Sequence, residues 1–258
     1  MVIENYPTEF GFRNKISGVH TSRTMMFEEL KILLEEVPPE ADTKQYERAI
    51  IEDNLLFKKT LTTRETTAQK LESLYALDPE VPIYNYFRKL WETMQEGKEL
   101  LACLLANARD PVLRLTLPPV LDLSIGQEFS KKALLDALKE KAGDEFTVKT
   151  LESTSRNAAS TWTQSGHLKG HRTKFRAKPN VTPGAVTYGL LLGHLCDRTG
   201  SRLFNTYWMR VLDVEDHTSE ELAKRASRKG LLSFQKAGNV INIDFSPTIG
   251  EEEHLNPQ

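Results

Sequence analysis

Residues 147–166 read TVKTLESTSRNAASTWTQSG, and they say more about the architecture than any other stretch of the chain. The threonine at the start can cap a helix, and the glycine at the end can stop one. Between them, apolar and small side chains recur on one side at helical spacing. They are Val148, Leu151, Ser155, Ala158, Ala159 and Trp162. The pattern predicts an amphipathic helix from Thr147 to about Ser165.

The opposite side of this predicted helix is polar, and its side chains can donate hydrogen bonds to phosphates and to base edges. They are Lys149, Ser153, Arg156, Asn157, Ser160 and Thr163. The one acid of the helix, Glu152, lies at the margin. We therefore expect this side of the helix to bind nucleic acid.

The charge distribution around the helix is strongly uneven. No Asp or Glu occurs between Ser153 and Cys196, although the chain has 36 acidic residues and a net charge of -2. The basic residues of this stretch are Arg156, Lys169, Arg172, Lys174, Arg176 and Lys178, and His171 lies among them. A surface of one sign attracts phosphate backbones, so we add these residues to the predicted DNA-binding site. A solvated basic loop without a ligand is the alternative.

The order of elements indicates a winged helix-turn-helix within residues 125–180. Ser130 can cap a helix from Lys131 to Lys141 that Gly143 ends, the polar helix follows, and a basic segment suited to a hairpin comes next. In a winged helix, the second helix of the turn enters the major groove and the wing touches the backbone. A three-helix packing unit that binds no DNA is the competing interpretation.

The first half of the chain is predicted to be a helical bundle over residues 1–120. Apolar positions recur at helical spacing in stretches that proline-containing segments separate. The predicted helices cover about residues 22–37, 43–56, 62–75, 83–94 and 97–108, and Asp110-Pro111 starts another. Because Pro118-Pro119 breaks the pattern, we place a domain boundary between Pro118 and Ser130.

Residues 181–250 are predicted to form helices over about 185–198, 204–212 and 219–229, then a β-hairpin of residues 231–235 and 240–245. The last of these helices contains Lys224, Arg225, Arg228 and Lys229. A second winged-helix-like unit is one interpretation of this region. We favour a supporting role, because basic residues near a helix C-terminus also serve the helix dipole. The predicted fold class is therefore mainly α, with this helical and β-hairpin extension at the C-terminal end.

Composition and the pattern of apolar residues indicate the cellular compartment of the protein. Cys103 and Cys196 are too few for a disulfide framework, and the first residues lack the basic and apolar regions of a signal peptide. No apolar stretch approaches the roughly 20 residues that span a bilayer. We expect a cytoplasmic protein that makes no contact with a membrane.

Motifs of catalysis are missing from the sequence. It contains no glycine-rich phosphate loop ending in Lys-Ser or Lys-Thr and no Gly-x-Ser-x-Gly elbow, and His and Cys do not converge into a metal site by spacing. We therefore predict a protein that is not an enzyme, with no catalytic residue, no cofactor and no metal. Acid pairs such as Glu52-Asp53 leave a metal-dependent nuclease as an alternative.

Residues 46–67, YERAIIEDNLLFKKTLTTRETT, resemble the BrxA family of the BREX bacteriophage-exclusion systems. That family shows an Ile/Val-x-Asp-Asn-x-Leu core, here at residues 51–56, followed by a basic residue and a Ser/Thr-rich start to an Arg-containing helix. Residues 147–166 look like its later helix-turn-helix segment. The resemblance covers roughly residues 16–178, and the residues from about Val181 onward go beyond it.

The resemblance implies a small helical domain similar to the NusB-type bundle, joined to a winged helix. It also implies a non-catalytic component of a phage-defence system that binds double-stranded DNA and has other proteins of that system as partners. A protein-interaction adaptor in the same kind of assembly is the alternative. In that case the helical domain docks a partner and the basic region meets an acidic protein surface.

Overall fold

The computed structural model describes residues 5–250 of the chain, and these residues are mainly helical. The helices are α1 (Phe27–Glu36), α2 (Thr43–Ile51), α3 (Leu61–Tyr75), α4 (Pro82–Thr93), α5 (Lys98–Arg109), α6 (Pro111–Arg114), α7 (Pro118–Leu121), α8 (Lys131–Ala142), α9 (Val148–Gln164), α10 (Pro183–His194), α11 (Tyr207–Leu212), α12 (Asp216–Arg228) and α13 (Ser246–Ile249). The strands are β1 (Leu168–Lys169), β2 (Phe175–Arg176), β3 (Ser233–Ala237) and β4 (Val240–Asp244). Short 3-10 helices lie at Thr8–Phe10, Val19–Thr21 and Gly200–Asn205. The predicted mainly-α fold class is confirmed.

The described residues divide into two compact units. The first unit combines residues 5–85 with 105–178, and the second combines 86–104 with 179–250. This division differs from the predicted domains, because no unit boundary lies between residues 118 and 130. The reason is packing across the predicted boundary: Val112 from α6 forms one apolar cluster with Leu138 from α8 and Leu151 from α9.

Two helices at the N-terminal end of the first unit differ from their predicted bounds. The helix predicted over about 22–37 begins only at Phe27, because Met26 has left-handed backbone angles. The helix predicted over 43–56 starts with an Asp42 capping box but ends at Ile51. Asn54 then turns the chain with a φ of 52°, and its Oδ1 accepts a hydrogen bond from the Lys58 N–H at 2.8 Å.

The helices α8 and α9 lie close to their predicted bounds. The Thr147 hydroxyl caps α9 by accepting a hydrogen bond from the Thr150 N–H at 3.2 Å, as we predicted. Ser130 occupies the N-cap position of α8, but its side chain makes no cap hydrogen bond, contrary to prediction. The first turn of α8 therefore keeps backbone donors that this side chain does not satisfy.

A small antiparallel hairpin follows α9. Leu168 in β1 pairs with Arg176 in β2. Residues 126–129 continue the sheet on the other side of β2, since the Phe129 N–H donates to the Lys174 carbonyl at 2.8 Å. The turn between β1 and β2 requires Gly170, because its φ is +109° and a Cβ there would collide with the Thr173 carbonyl oxygen.

The second unit is built around α10, which is buried along almost its whole length. The helices α11 and α12 both pack against α10. The β3–β4 hairpin closes with Ala237 opposite Val240, so β3 lies two residues later than predicted. No helix within residues 5–250 combines the length and the apolar character that crossing a bilayer demands.

Candidate nucleic-acid interface

One side of α9 is open to solvent, and it carries most of the predicted polar residues. Lys149, Ser153, Arg156, Ser160 and Thr163 are exposed or half-buried. They are four, three, four and three residues apart, which aligns them in one row along a helix. We call this row the polar row. Within it, an Arg156 Nη donates to the Ser153 hydroxyl at 3.0 Å.

The other side of α9 is buried, with two exceptions to the prediction. Leu151, Ser155, Ala158, Ala159 and Trp162 are buried as predicted, together with Thr154 and Thr161. Val148, the first residue of α9, was predicted to lie on this side but is 59% exposed. Asn157 was predicted to face nucleic acid, yet its Nδ2 donates to the His20 carbonyl at 3.0 Å and so serves packing.

Lys174 connects the β1–β2 hairpin to the polar row. Its Nζ donates to the Thr163 Oγ1 at 2.7 Å and to the Gly170 carbonyl at 3.4 Å. Burial and then the nearby charge of Lys131 lower the pKa of Lys174 below its ordinary value. The contact makes the hairpin and the polar row one continuous surface.

Arg176 is a correction to the predicted site. Its side chain is 1% exposed and donates to the carbonyls of His167 and Ala177, inside the hairpin. The cause is strand alternation, since Phe175 takes the outward position of β2 and Arg176 the inward one. Arg176 therefore cannot touch a duplex, and we remove it from the site.

The remaining predicted hairpin residues face solvent. They are Lys169, His171, Arg172 and Lys178. Among residues 5–250, no carboxylate makes a salt bridge with Lys149, Arg156, Lys169, Arg172 or Lys174. Their positive charge is therefore available to an anionic ligand.

A buried polar network fixes α9 against the N-terminal segment. His20 Nδ1 lies 2.7 Å from Asp110 Oδ2, and His20 Nε2 lies 2.8 Å from Thr161 Oγ1. The Met25 N–H donates to the same threonine oxygen at 2.9 Å. A Cβ at Gly18 would collide with Asp110, so glycine allows this close approach. The network holds the angle at which α9 presents its polar row.

The network combines a hydroxyl, an imidazole and a carboxylate, the residue types of a catalytic triad, but its buried position indicates a structural role. His20, Asp110 and Thr161 are each fully buried, so a substrate has no access to them. Burial alone would raise the pKa of Asp110. The charge of His20 and hydrogen bonds from His20 and the Leu113 N–H outweigh it, so the pKa lies below its ordinary value.

Sequence reasoning missed two sets of residues. Asp110 lies 90 residues from His20 along the chain and Thr161 lies 141 residues from it, so no local spacing could reveal the three as a group. Lys131 and Lys132 had a signal that was overlooked. They occupy the first turn of α8, where the helix dipole disfavours cations, so their placement is not explained by helix stability.

Within residues 5–250, no group of three or more His, Cys, Asp or Glu side chains is placed to hold a metal ion. No protein-family model matches the chain, and no curated protein matches its sequence.

Proposed function

We propose that the protein is a non-catalytic component of a bacterial phage-defence system of the BREX type that binds double-stranded DNA. The duplex lies against the polar row of α9 and the β1–β2 hairpin. The observation that carries this proposal is the Lys174 to Thr163 hydrogen bond of 2.7 Å, which joins helix and hairpin into one positive surface. The assignment to a defence system comes from the resemblance of residues 46–67.

The order of elements supports a winged helix-turn-helix as the binding domain. Residues 126–129 come first, then α8, α9, β1 and β2, with β2 hydrogen-bonded on both sides. In a winged helix the second helix of the turn enters the major groove and the hairpin follows the backbone. Here α9 would be the recognition helix and residues 170–174 the wing. The helices that precede residue 121 are, by resemblance, the NusB-type part of the protein.

The chemistry of the surface favours phosphate contacts with few base contacts. Lys149, Arg156, Lys169, Arg172 and Lys174 supply charge, and the hydroxyls of Ser153 and Ser160 supply donors. Phosphate contacts position a protein on DNA but carry no sequence information. Arg156 is the one long side chain at the centre of the polar row that can reach a guanine edge. We therefore propose sequence-tolerant binding.

The test is a titration of a labelled duplex with the full chain at several salt concentrations. Each phosphate that a cation holds contributes about 0.9 to the slope of log affinity against log salt concentration. The exposed cations predict a slope between about -3 and -5 from 50 to 200 mM salt. A duplex that the protein does not retain at 50 mM salt would overturn the proposal.

A protein-interaction adaptor is the second candidate function, and one observation favours it. Phe57 is 85% exposed and Leu61 is 56% exposed, in the stretch that resembles the defence family. Phe57 also has a φ of 51°, a backbone conformation that is unfavourable for a bulky side chain. If the protein is an adaptor, Phe57→Ser with Leu61→Ser abolishes co-purification of the other defence proteins and leaves duplex affinity unchanged. If DNA binding alone accounts for the protein, co-purification is unaffected by these changes.

A further inference from the structure

A basic cleft lies between the start of α8 and the tip of the β1–β2 hairpin. Its volume is about 490 Å³. The residues that line it are Glu128, Phe129, Ser130, Lys131, Lys132, Arg172, Thr173 and Lys174. Four of these side chains are cations, contributed by two segments that lie 40 residues apart in the chain. We call this feature the basic cleft.

The four cations of the basic cleft repel one another. Lys131 is close enough to Lys174 for its charge to lower the pKa of that lysine. Among the described residues, none of the four cations makes a salt bridge with a carboxylate, and Glu128 is the single acid in the lining. An arrangement of like charges is unfavourable without a counter-charge, so the cleft is suited to an anion.

The position of the cleft indicates which anion it takes. Lys174 lines the cleft and also donates to Thr163 at the end of the polar row, so the two sites share one side chain. A strand lying on α9 would therefore pass the mouth of the cleft. The Ser130 hydroxyl, which makes no cap hydrogen bond, and the first backbone N–H groups of α8 add donors of the kind that phosphate oxygens accept.

We infer that the basic cleft holds one backbone phosphate of the DNA strand that lies along α9, and so clamps the strand between α8 and the wing. This inference rests on the proposed DNA binding and adds a specific contact to it. It assigns Lys131 and Lys132 to the binding surface, although both lie outside the acid-free stretch of the sequence.

The experiment compares two double variants on the same helix. Lys131→Gln with Lys132→Gln removes charge from the basic cleft, whereas Lys139→Gln with Lys141→Gln removes the same charge from the other end of α8. Duplex affinity is measured from 50 to 200 mM salt. The cleft variant should bind more weakly to every sequence, with a slope shallower by about one unit, and the control should keep the slope of the unaltered protein.

The source of the phosphate is tested with two forms of the duplex. A duplex closed by hairpins at both ends has no terminal phosphate, and the two variants should differ on it as they do on an open duplex. Equal slopes for the two variants, or a difference seen only with 5′-phosphorylated ends, would overturn the inference while leaving DNA binding intact. If the unaltered protein retains neither duplex, the proposed function itself fails.

Discussion

Two regions of the chain share an order of elements and differ in charge. In the first unit, α8 and α9 precede the β1–β2 hairpin, and in the second, α11 and α12 precede the β3–β4 hairpin. In the first region, Lys149, Arg156, Lys169, Arg172 and Lys174 make no salt bridge with a carboxylate of the described residues. In the second, Lys224 Nζ lies 2.7 Å from Glu221 Oε1 and Lys236 Nζ lies 2.6 Å from Glu220 Oε2.

The comparison shows that the same order of helices and strands can occur with different surface charges. The order alone therefore does not determine what a helix binds. Hydrogen bonding and charge from Lys224 lower the pKa of Glu221, so this carboxylate stays ionised beside the cations of α12. A surface of mixed sign has little attraction for a polyanion, whereas a surface of one sign attracts it strongly. The DNA binding that we propose therefore concerns the first region alone.

The two regions also differ in how the second helix is held. The buried side of α12 contains Leu222, Ala223 and Ala226, and so is held mainly by apolar packing. In contrast, α9 is held by the network of His20, Asp110 and Thr161 as well as by Trp162. Polar contacts require defined directions, so they fix the rotation of α9 more narrowly than apolar packing fixes α12.

The largest effect is expected from breaking the network that holds α9. Asp110→Ala leaves His20 buried without its acid and removes the cap of α6, and loss of one partner of a buried pair costs about 3–5 kcal/mol. The free energy of unfolding in urea measures this cost. Asp136→Ala, an exposed acid on α8, is the control and should change stability by less than about 0.5 kcal/mol. A similar small change for Asp110→Ala would contradict the role of the network.

The pH dependence of stability tests the same group. Because the pKa of Asp110 is lower in the folded protein than its ordinary value of 3.8, its ionised form stabilises the fold. That contribution is fully present above pH 3.8 and is lost as the pH falls through the lower, folded value. The stability difference between the unaltered protein and Asp110→Asn should therefore shrink only below pH 3.8. A difference that grows on acidification would have the wrong sign.

Charge reversal tests whether the two regions differ in DNA binding. Arg156→Glu, Arg172→Glu and Lys174→Glu together should weaken duplex binding by about 100-fold or more, because several phosphate contacts become repulsive. The matched control is Arg225→Glu, Arg228→Glu and Lys229→Glu on and beside α12, which changes net charge equally. Affinity is measured by fluorescence anisotropy, and circular dichroism checks that both variants fold. Equal losses would mean that total charge, and not the α9 surface, governs binding.

The two hairpins offer a smaller test, on stability. Gly170 has a φ of +109° and no room for a Cβ, whereas Gly238 has a φ of +60° and no atom within 4 Å of a Cβ. Gly238→Ala should lower the free energy of unfolding by about 1 kcal/mol, because alanine must adopt a left-handed backbone conformation there. Gly170→Ala adds a collision with the Thr173 carbonyl, so it should cost about 1–2 kcal/mol more. Urea unfolding compares the two variants, and equal costs would show that the β1–β2 turn is not constrained as described.

The smallest expected change is in the titration of one lysine. Lys131→Gln removes the positive charge beside Lys174, so the pKa of Lys174 should rise towards its ordinary value of 10.5. Burial still lowers this pKa, so the return should be incomplete. NMR of the lysine side chains against pH measures the shift, with Lys139→Gln as the control. If the pKa of Lys174 were the same in the two variants, the charge of Lys131 would not act on Lys174 in the basic cleft.

Much of α9 could be predicted from local pattern. The spacing of Leu151, Ala158 and Trp162 gave its buried side, and Thr147 and Gly166 gave its ends. These signals depend on neighbours within one or two turns, so they survive whatever the rest of the chain does. By the same reasoning, the β3–β4 hairpin was predicted to within about two residues, whereas for β1–β2 only a basic segment suited to a hairpin was predicted.

Arg176 and Asn54 show where local pattern fails. The inward position of Arg176 follows from the register of β2 between β1 and residues 126–129, and a shift of one residue would exchange it with Phe175. Asn54 follows Glu52 and Asp53 in a stretch that we predicted to be helical, yet it adopts a left-handed turn. The position of Arg176 depends on pairing with distant segments. The Asn54 turn had a local signal that was overlooked, because asparagine tolerates left-handed angles and its side chain bonds to the backbone four residues later.

Composition and periodicity alone established a mainly helical chain, an acid-free basic segment and a helix with one polar side. The folded chain decided which cations share a surface, since Lys174 reaches Thr163, the basic cleft adds Lys131, and Arg176 turns inward. It also brought His20 and Asp110 beneath α9, although they lie 141 and 51 residues before Thr161 in the chain. The physical reason is range: helical period can be read from sequence neighbours, whereas burial, pairing and the charges that share one surface depend on which distant segments meet.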